Sequence, residues 1–446
     1  MHSRKDMDMG KKVGMVSLGC CKNRVDSEVL LGILRDQGYE IVSDPAEAEI
    51  VFVNTCGFIA PAKEESIDTI FEMAEYKNTG KLKKLFVTGC LSQRYPDTLY
   101  EEMPEVDGFM GVSDYERILE MLKRADEGER PVMIEDNERF IKNERMLTTP
   151  PYSAYVKISD GCDNKCTYCA IPLIRGKYRS RPYEDVMEEC RAFAKKGVTE
   201  LIFIAQDTSR YGNDFEGKQL LLTKLLHEAS EIEGVEWIRV LYFYPDTVTD
   251  ELLREMRDNP KICPYLDLPL QHIDRALLKR MNRRGTPEEI RSILARVREY
   301  GIYTRTTMIV GFPGETDEQF ETLLNFVKET RFDRLGAFTY SPEDDTPAAE
   351  MPDQIDEEVK QKRLDQLMML QQQISLESNQ ARIGQTPKVL VEGFEDGMYY
   401  GRSQLEAPEI DGVIRFSSDT DLVPGQYVRV QITDSDAYDL MGVMIE

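Results

Sequence analysis

The first part of the chain alternates short hydrophobic runs with amphipathic stretches. Three of the runs, "VGMVSLGC", "EIVFVNTC" and "KLFVTGC", are rich in β-branched residues and have the length of buried strands. Helical patterns lie between them, and the first ends at Gly38 after apolar positions at helical spacing: Val25, Val29, Leu30, Ile33 and Leu34. Strands that alternate with helices predict a parallel sheet, so we expect an N-terminal parallel α/β domain.

Each of these three strands ends in a cysteine: Cys20, Cys56 and Cys90. The carboxyl ends of parallel strands lie at one edge of a sheet, where ligands collect. The predicted topology therefore brings three thiols together, although they are 36 and 34 residues apart in the sequence. The alternative for each cysteine taken alone is a small buried hydrophobic residue.

A second alternating pattern follows a charged segment. Residues 126–150 are highly charged and weakly periodic, which predicts a linker, and a new domain begins near Tyr152. Six further runs have strand character: "YVKISDGC", "ELIFIAQD", "IRVLYFYP", "YLDLPL", "TRTTMIVGF" and "RLGAFTYSP". With helices outside them, these strands predict a partial or full (β/α) barrel whose chemistry lies at the carboxyl ends of the strands.

The last hundred residues change character again. Residues 353–384 form one long helical pattern that ends at Gly384. Short strands with turns such as "EDGMYYGRS" and "LVPGQYV" follow, and they predict a small antiparallel β-barrel. We therefore expect an α/β protein of three domains, with boundaries at 11–127, 148–378 and 379–446.

Composition narrows the class of protein. At 446 residues and 41% hydrophobic content, the chain is too long for one core and fits two or three domains. Its net charge of −25 argues against broad attraction to nucleic acid or to anionic membranes. The N-terminus lacks the apolar region of a signal peptide, and no apolar run approaches the length of a membrane helix, so we expect a cytoplasmic protein without a membrane partner. Disulfides are rare in that compartment, so clustered members of the nine cysteines are expected to be metal ligands or reactive thiols.

One such cluster lies in the loop "SDGCDNKCTYCAIP", residues 159–172, which contains Cys162, Cys166 and Cys169. Structural zinc sites use four protein ligands, whereas this loop offers three thiolates. A [4Fe-4S] cluster held at three irons leaves one iron free for a small molecule. The alternative is a zinc site whose fourth ligand is distant in the sequence.

The spacing of this loop, with Tyr168 before the last cysteine, resembles the signature of the radical S-adenosylmethionine (SAM) superfamily. The resemblance implies that the amino and carboxylate groups of SAM occupy the free iron. It also implies that an electron from the cluster cleaves SAM to a 5′-deoxyadenosyl radical.

Both groups of cysteines together resemble one family more closely. The stretches "SLGCCKNRVDSE", "FVNTCGFI", "VTGCLSQRY", "GCDNKCTYCAIPLIRG" and "MIVGFPGET" are similar to the methylthiotransferase family from about residue 11 to the end of the chain. The resemblance implies that Cys20, Cys56 and Cys90 hold an auxiliary [4Fe-4S] cluster associated with sulfur delivery, and that Cys162, Cys166 and Cys169 hold the radical-generating cluster. Cys21 stands where the family usually has proline, so it offers a competing thiol.

Other residues fit the resemblance less specifically. The "GFPGE" turn, with Gly311, Gly314 and Glu315, resembles the loop near the adenosyl group of SAM, but it also reads as an ordinary β–α turn. Gln206 and Asp207 follow another strand, where they contact ribose or substrate or else form a turn. Further residues have open or structural interpretations: His272 is a ligand contact or a helix-start residue, and Cys190 and Cys263 are packing residues. The sequence indicates no catalytic acid or base.

The substrate is predicted from charge and from one motif. The resemblance makes residues 379–446 a TRAM module, usually an RNA-binding barrel, yet they carry five Lys or Arg against twelve Asp or Glu, a net charge of −7. Such a surface should repel phosphates and attract a basic protein, unless it is only a solvated acidic surface. "LDLPLQHIDRALLKRMNRR" resembles the subfamily that modifies an aspartate of ribosomal protein uS12, with a flavodoxin or ferredoxin as reductant. The competing hypotheses are a transfer RNA methylthiotransferase and a non-catalytic, metal-stabilised RNA-binding protein.

Overall fold

The computed structural model describes residues 10–135 and 140–445. Its first domain is built on a six-stranded sheet in which every pairing is parallel and the strand order is β2-β1-β3-β4-β5-β6. The strands are β1 Lys12–Ser17, β2 Glu40–Ile41, β3 Ile50–Thr55, β4 Lys84–Gly89, β5 Gly108–Met110 and β6 Val132–Met133. Separate hydrophobic cores cover the two faces of this sheet, as expected for a parallel sheet. The prediction of a parallel α/β domain is confirmed.

Five helices connect these strands: α1 Cys21–Asp36, α2 Ala60–Thr79, α3 Cys90–Arg94, α4 Pro96–Glu102 and α5 Ile118–Asp126. Helix α1 begins directly after Cys20, and α3 begins at Cys90. Gly89 makes the sharp turn into α3 with a φ of +96°, and a Cβ at this position would lie 2.2 Å from Asn54 Oδ1. Only glycine fits this turn, which is what brings Cys90 back towards β3.

The predicted linker is in part an element of the first domain. Within residues 126–150 the structure forms strand β6, which pairs in parallel with β5 and closes the edge of the sheet. The charged composition of the segment concealed this strand because it is two residues long. Residues 136–139 lie outside the described part of the chain.

The central domain contains all six predicted strands. They form two parallel three-stranded sheets, β7-β10-β11 and β12-β13-β14, which an isolated bridge from Ile238 to Ile262 connects. The bounds are β7 Ser153–Lys157, β10 Glu200–Ile204, β11 Trp237–Val240, β12 Tyr265–Gln271, β13 Tyr303–Val310 and β14 Arg334–Thr339. A short antiparallel pair, β8 Ser159–Asp160 and β9 Arg179–Ser180, flanks the cysteine loop. One hydrophobic core spans both sheets, so the strands form the expected partial barrel.

Helices cover the outside of this partial barrel. The first helix of the domain, α6 Ile171–Arg175, instead packs through Ile174 against Cys90 and Val112 of the first domain. The helices that follow it are α7 Tyr183–Lys195, α8 Leu222–Ser230, α9 Asp250–Asp258, α10 Arg275–Arg280, α11 Pro287–Glu299 and α12 Asp317–Thr330. Thr286 and Thr316 form capping boxes that start α11 and α12. None of the described helices is both long enough and apolar enough to cross a membrane.

The C-terminal part begins with α13, Glu357–Gln380, and ends in a closed five-stranded barrel. Its strands are β15 Lys388–Glu395, β16 Met398–Arg402, β17 Ile414–Ser417, β18 Tyr427–Ser435 and β19 Leu440–Met444. Four pairings are antiparallel, but β17 and β19 pair in parallel, because the chain crosses the barrel through β18 before β19 closes it. The predicted small barrel is present, with this one parallel pairing as the difference.

Candidate cluster and cofactor sites

The loops that contain Cys20, Cys56 and Cys90 converge at the carboxyl edge of the first sheet; we call these residues the N-terminal triad. They follow β1, β3 and β4, which are neighbours in the sheet. A Cβ placed at Gly19 would lie 3.1 Å from Cys56 Sγ, and one at Gly57 would lie 2.8 Å from the carbonyl carbon of Cys90. The loop of Cys20 therefore contacts the loop of Cys56, and the loop of Cys56 contacts the loop of Cys90.

Asn23, in the first turn of α1, ties this triad together. Its side-chain amide donates to the carbonyl oxygens of Leu18 and Thr55, at 3.1 and 2.9 Å. Its Oδ1 accepts from Cys90 Sγ at 3.4 Å. Burial raises the pKa of the Cys90 thiol to about 12, so a thiolate at this position requires a positively charged partner such as a metal centre.

Cys21 is directed away from the N-terminal triad. Its Sγ lies 3.5 Å from the hydroxyl of Tyr242, which belongs to the central domain, and burial raises the pKa of its thiol. The backbone next to Cys20, by contrast, lies against Cys56, since a Cβ at Gly19 would be 3.1 Å from Cys56 Sγ. This arrangement favours Cys20 over Cys21 as the third thiol of the site.

The second group, Cys162, Cys166 and Cys169, lies in the loop between β8 and α6; we call it the central triad. The loop is folded back by hydrogen bonds from Cys162 N to the oxygen of Gly176 and from Cys169 N to the oxygen of Cys166, both at 3.1 Å. Burial raises the pKa of Cys162 to about 11 and that of Cys169 to about 12. These thiols also need a positive partner to ionise.

The donors fit iron-sulfur clusters better than single metal ions. Nowhere in residues 10–135 and 140–445 do three His, Cys, Asp or Glu side chains stand close enough to bind one ion. Thiolates on one zinc ion would each lie about 2.3 Å from it, whereas the thiolates of a cubane cluster bind separate iron atoms and stand further apart. Each triad offers three thiols, the donor type that an iron-sulfur cluster takes, from one loop in the central triad and from three loops in the N-terminal triad.

The structure adds a tyrosine and an arginine at the central triad that the sequence did not indicate. Tyr244 places its hydroxyl 3.4 Å from Cys166 Sγ, and Arg283 Nη1 lies 3.7 Å from the same sulfur. The Arg283 guanidinium also stacks on the Tyr244 ring, 4.1 Å from its centroid. The only available signal was the position of "YFYP" after a strand, since nothing in the sequence places Arg283, which is half-buried, beside Cys166.

Gln206 lies just beyond β10, and one of its polar atoms has no protein partner. Its Nε2 donates to Asp160 Oδ1 at 3.1 Å, while its Oε1 is buried without a hydrogen bond. Its neighbour Asp207 accepts from Asn164 of the cysteine loop at 3.1 Å. An unpaired buried acceptor is costly, so Gln206 Oε1 is suited to receive a donor from a ligand.

Glu315 is directed at the protein instead of at a cavity. Its carboxylate accepts from Arg363 at 2.8 Å and from the backbone N–H of Gly311, and it lies 3.1 Å from His272 Nε2. These contacts favour a structural role for Glu315 and His272 in shaping the glycine loop. Gly311 and Gly314 have φ values of +70° and +71°, and a Cβ at Gly314 would lie 2.1 Å from Arg280 Nη1.

A cavity of about 600 Å³ lies between the first domain and the partial barrel. Phe58 to Pro61, just after Cys56, form one wall, and Tyr168 and Gln271 of the central domain lie opposite. The rest of the lining is mostly apolar, and the volume suits a ligand of the size of SAM. Of the predicted contacts, Tyr168 lines this cavity, whereas Gln206, Gly311, Gly314 and Glu315 do not.

The two remaining cysteines are core residues. Cys190, on α7, is fully buried in the barrel core, and Cys263 is buried beside Trp237 and Tyr265. Neither belongs to a triad, in agreement with their interpretation as packing residues.

Comparison with protein families identifies each part of the chain. Residues 156–327 match the radical SAM superfamily, residues 12–111 match the family described as "Uncharacterized protein family UPF0004", and residues 383–445 match the TRAM domain. Among solved structures, the radical SAM methyltransferase TsrM from Kitasatospora setae matches with a TM-score of 0.55 and 16% identity, over 76% of this chain and 74% of that one. The fold and the three-cysteine loop thus define a radical SAM enzyme.

Relatives of nearly the same length define the family. A protein of Clostridium botulinum named "Ribosomal protein uS12 methylthiotransferase RimO" is 51% identical over 97% of this chain and 98% of its own length. Proteins of the same name from Clostridioides difficile and Desulforamulus reducens are each 50% identical over 97% of this chain and cover 98% and 99% of their own lengths. The chain belongs to the RimO family of radical SAM methylthiotransferases, whose cofactors are SAM and [4Fe-4S].

Proposed function

We propose that this chain attaches a methylthio group to the β-carbon of one aspartate in ribosomal protein uS12. The strongest support for this substrate is the similarity to proteins named as uS12 methylthiotransferases, which are about 50% identical over nearly the full length of this chain. Two separate three-cysteine sites support the chemistry, since sulfur insertion by this family is expected to need two clusters.

We further propose a division of labour between the triads. The N-terminal triad binds an auxiliary [4Fe-4S] cluster and the central triad binds the cluster that chelates SAM. When bound, these groups supply the electron for SAM cleavage and the site of sulfur delivery. The protein provides the six thiols, of which those of Cys90 and Cys166 are buried and that of Cys20 is exposed.

Named side chains are proposed to position SAM. Tyr168 lines the cavity beside the central triad, and Gln206 offers a buried acceptor with no protein partner. Gly311 and Gly314 shape a tight loop after β13. Glu315 fixes that loop by accepting hydrogen bonds from the Gly311 N–H and from Arg363. The contact with SAM that follows from the cavity lining is that of Tyr168; Gln206 lies outside this lining and is proposed from its unpaired acceptor alone, and Glu315 acts indirectly.

The charge of the C-terminal barrel favours a basic protein substrate over RNA. Residues 379–446 carry a net charge of −7, and the buried cations of this segment are already paired, Arg382 with Glu406 and Arg402 with Glu200 of the central domain. Few Lys or Arg side chains remain to neutralise phosphates. A ribosomal protein substrate also implies that the reaction occurs in the cytoplasm. The radical SAM superfamily, and not the substrate, implies a small flavodoxin or ferredoxin as reductant.

A competition assay tests the proposed substrate. The anaerobically reconstituted enzyme receives SAM, a reductant, purified uS12 and an isopentenyladenosine-containing transfer RNA, and both products are analysed by mass spectrometry. We expect a methylthio mass gain on one aspartate of uS12 that weakens as salt rises, because charge complementarity steers the encounter. A gain on the RNA with none on the protein would reverse the assignment.

A further inference from the structure

A buried arginine of the central domain reaches into the N-terminal triad. Arg175 is the last residue of α6, the helix that follows the central triad, and only 4% of it is exposed. Its Nη2 donates to Asn23 Oδ1 at 2.7 Å and to Asp26 Oδ2 at 2.9 Å. The same nitrogen lies 3.8 Å from Cys90 Sγ.

The other end of this guanidinium is held by the central domain. Arg175 Nη1 lies 3.1 Å from Asp160 Oδ2, and Asp160 also accepts from Gln206, the residue with the unpaired buried acceptor. Arg175 therefore contacts both domains and stands between the N-terminal triad and the residues near the central triad.

The charge of Arg175 balances a buried group of four ionised side chains. Asp26 and Asp160 are the anions, and Arg175 and Lys157 are the cations, with Lys157 Nζ bonded to both carboxylates at 2.5 and 2.9 Å. The formal charge of the group is zero, and it becomes −1 when Arg175 is neutralised. Because the group is buried, water screens this change weakly.

We propose that Arg175 is a positioning residue that holds Cys90 and raises the reduction potential of the auxiliary cluster. The inference rests on the proposed function, because it requires a cluster at the N-terminal triad. Reduction adds one electron to the cluster, and a nearby cation with a hydrogen bond to a ligand sulfur stabilises the added negative charge. The electron comes from an external reductant, dithionite in the test below.

Arg145 provides a matched control at the same domain junction. It is equally buried and pairs with Glu28 of α1 and with Glu189 of α7. It donates to the carbonyl oxygen of Tyr155, and none of its described contacts is with a triad cysteine. A change at Arg145 therefore removes a buried interdomain cation without removing a contact to a cysteine.

The test uses the full-length chain with all three cysteines of the central triad replaced by alanine, so that one cluster is expected. After anaerobic reconstitution, iron content is measured and the cluster is titrated with dithionite under EPR detection. We expect a more negative midpoint potential in Arg175→Gln, a midpoint close to that of the parent in Arg175→Lys, and no shift in Arg145→Gln.

Each outcome separates the inference from the proposed function. A parent chain that binds no iron would refute the auxiliary cluster itself, and the inference with it. A parent with about four irons, the content of one cubane, and equal midpoints in Arg175→Gln and Arg145→Gln would refute the inference alone. If Arg175→Gln takes up no iron, Arg175→Lys decides: a midpoint equal to that of the parent supports the role of the charge, and a shifted one overturns it.

Discussion

Glu200 is the buried carboxylate that fastens the C-terminal barrel to the central domain. It begins β10 and accepts from Arg402 of β16 at 2.8 Å and from Arg239 of β11 at 3.3 Å. Burial would raise the pKa of Glu200, but the charges of Arg402 and Arg239 outweigh burial and lower it from 4.5 to about 2. The folded state therefore stabilises the ionised form of Glu200 relative to the unfolded chain.

This lowered pKa sets the size of the expected effect of Glu200→Gln. A fall from 4.5 to about 2, at ~1.36 kcal/mol per pH unit, corresponds to about 3 kcal/mol of folding stability at pH 7. Removing one partner of a buried ion pair costs a similar amount, about 3–5 kcal/mol, because Arg402 and Arg239 are left under-compensated. We expect Glu200→Gln to lower the free energy of unfolding by about 3 kcal/mol at pH 7.

The pH dependence gives a second, independent readout. Glu200 has a lowered pKa in the folded state, so its stabilisation is complete above the unfolded value of 4.5 and is lost as pH falls towards about 2. The difference between the wild type and Glu200→Gln should therefore be constant from pH 7 to about pH 5 and should shrink below that.

Urea unfolding followed by circular dichroism measures this difference, and Glu236→Gln is the control. Glu236 also bridges to the C-terminal barrel, by an ion pair with Lys388 at 2.7 Å, but both side chains are nearly half exposed. Exposed pairs contribute about 0–1 kcal/mol, so this variant should unfold close to the wild type. Equal unfolding curves for Glu200→Gln and Glu236→Gln would refute the role given to Glu200.

Three further predictions concern the triads and one turn. Replacing any cysteine of the central triad by alanine should abolish reductive cleavage of SAM, measured as 5′-deoxyadenosine. Replacing any cysteine of the N-terminal triad by alanine should spare some cleavage and stop sulfur insertion. Methylthiolated product from an N-terminal triad variant would contradict the assignment. Cys21→Pro should retain about eight irons per chain, the content of two cubanes, because Cys21 points at Tyr242 and occupies the first helical position, where proline is tolerated; a loss of about four irons would make Cys21 the ligand. Gly89→Ala should lower the free energy of unfolding in urea by more than about 2 kcal/mol, since its Cβ would lie 2.2 Å from Asn54 Oδ1. The control Gly128→Ala, at a φ of +88° with nothing within 4 Å of the new Cβ, should lower it by about 1 kcal/mol. Equal losses of stability in the two variants would contradict the packing argument.

Hydrophobic periodicity was sufficient to predict most of the architecture. The strands of the first domain are apolar runs buried on both faces of their sheet, and the six strands of the central domain are apolar runs that helices bury on one face, so both sets stand out in the sequence. The convergence of the N-terminal triad followed from topology alone, because neighbouring parallel strands share an edge. A strand as short as β6 has no periodicity to detect, which is why the linker was extended over it.

The residues that sequence reasoning missed are charged or aromatic groups whose partners are remote in the chain. Arg175 contacts Cys90 from 85 positions away, and Arg283 contacts Cys166 from 117 positions away. An arginine near a glycine or at a helix end is expected to be exposed, and only tertiary packing reveals that Arg175 is buried and Arg283 half-buried. For the same reason the sequence suggested Glu315 as a cofactor contact, although its carboxylate is occupied by Gly311, His272 and Arg363.

The junction between the first domain and the partial barrel combines apolar packing with buried ion pairs. Cys21 and Val25 of α1 pack against Tyr155 of the central domain, and Cys90 packs against Ile174. The contacts that cross between the domains also include the ion pairs of Arg94 and Lys63 with the buried Glu343, at 2.8 and 2.9 Å. Arg175 with Asp26 forms a second such contact, on a different part of the junction. Ion pairs are directional, so two buried groups of this kind restrict both the distance and the rotation between the domains. Since each triad belongs to a different domain, substitutions at these charges should change the placement of one triad relative to the other while leaving each domain folded.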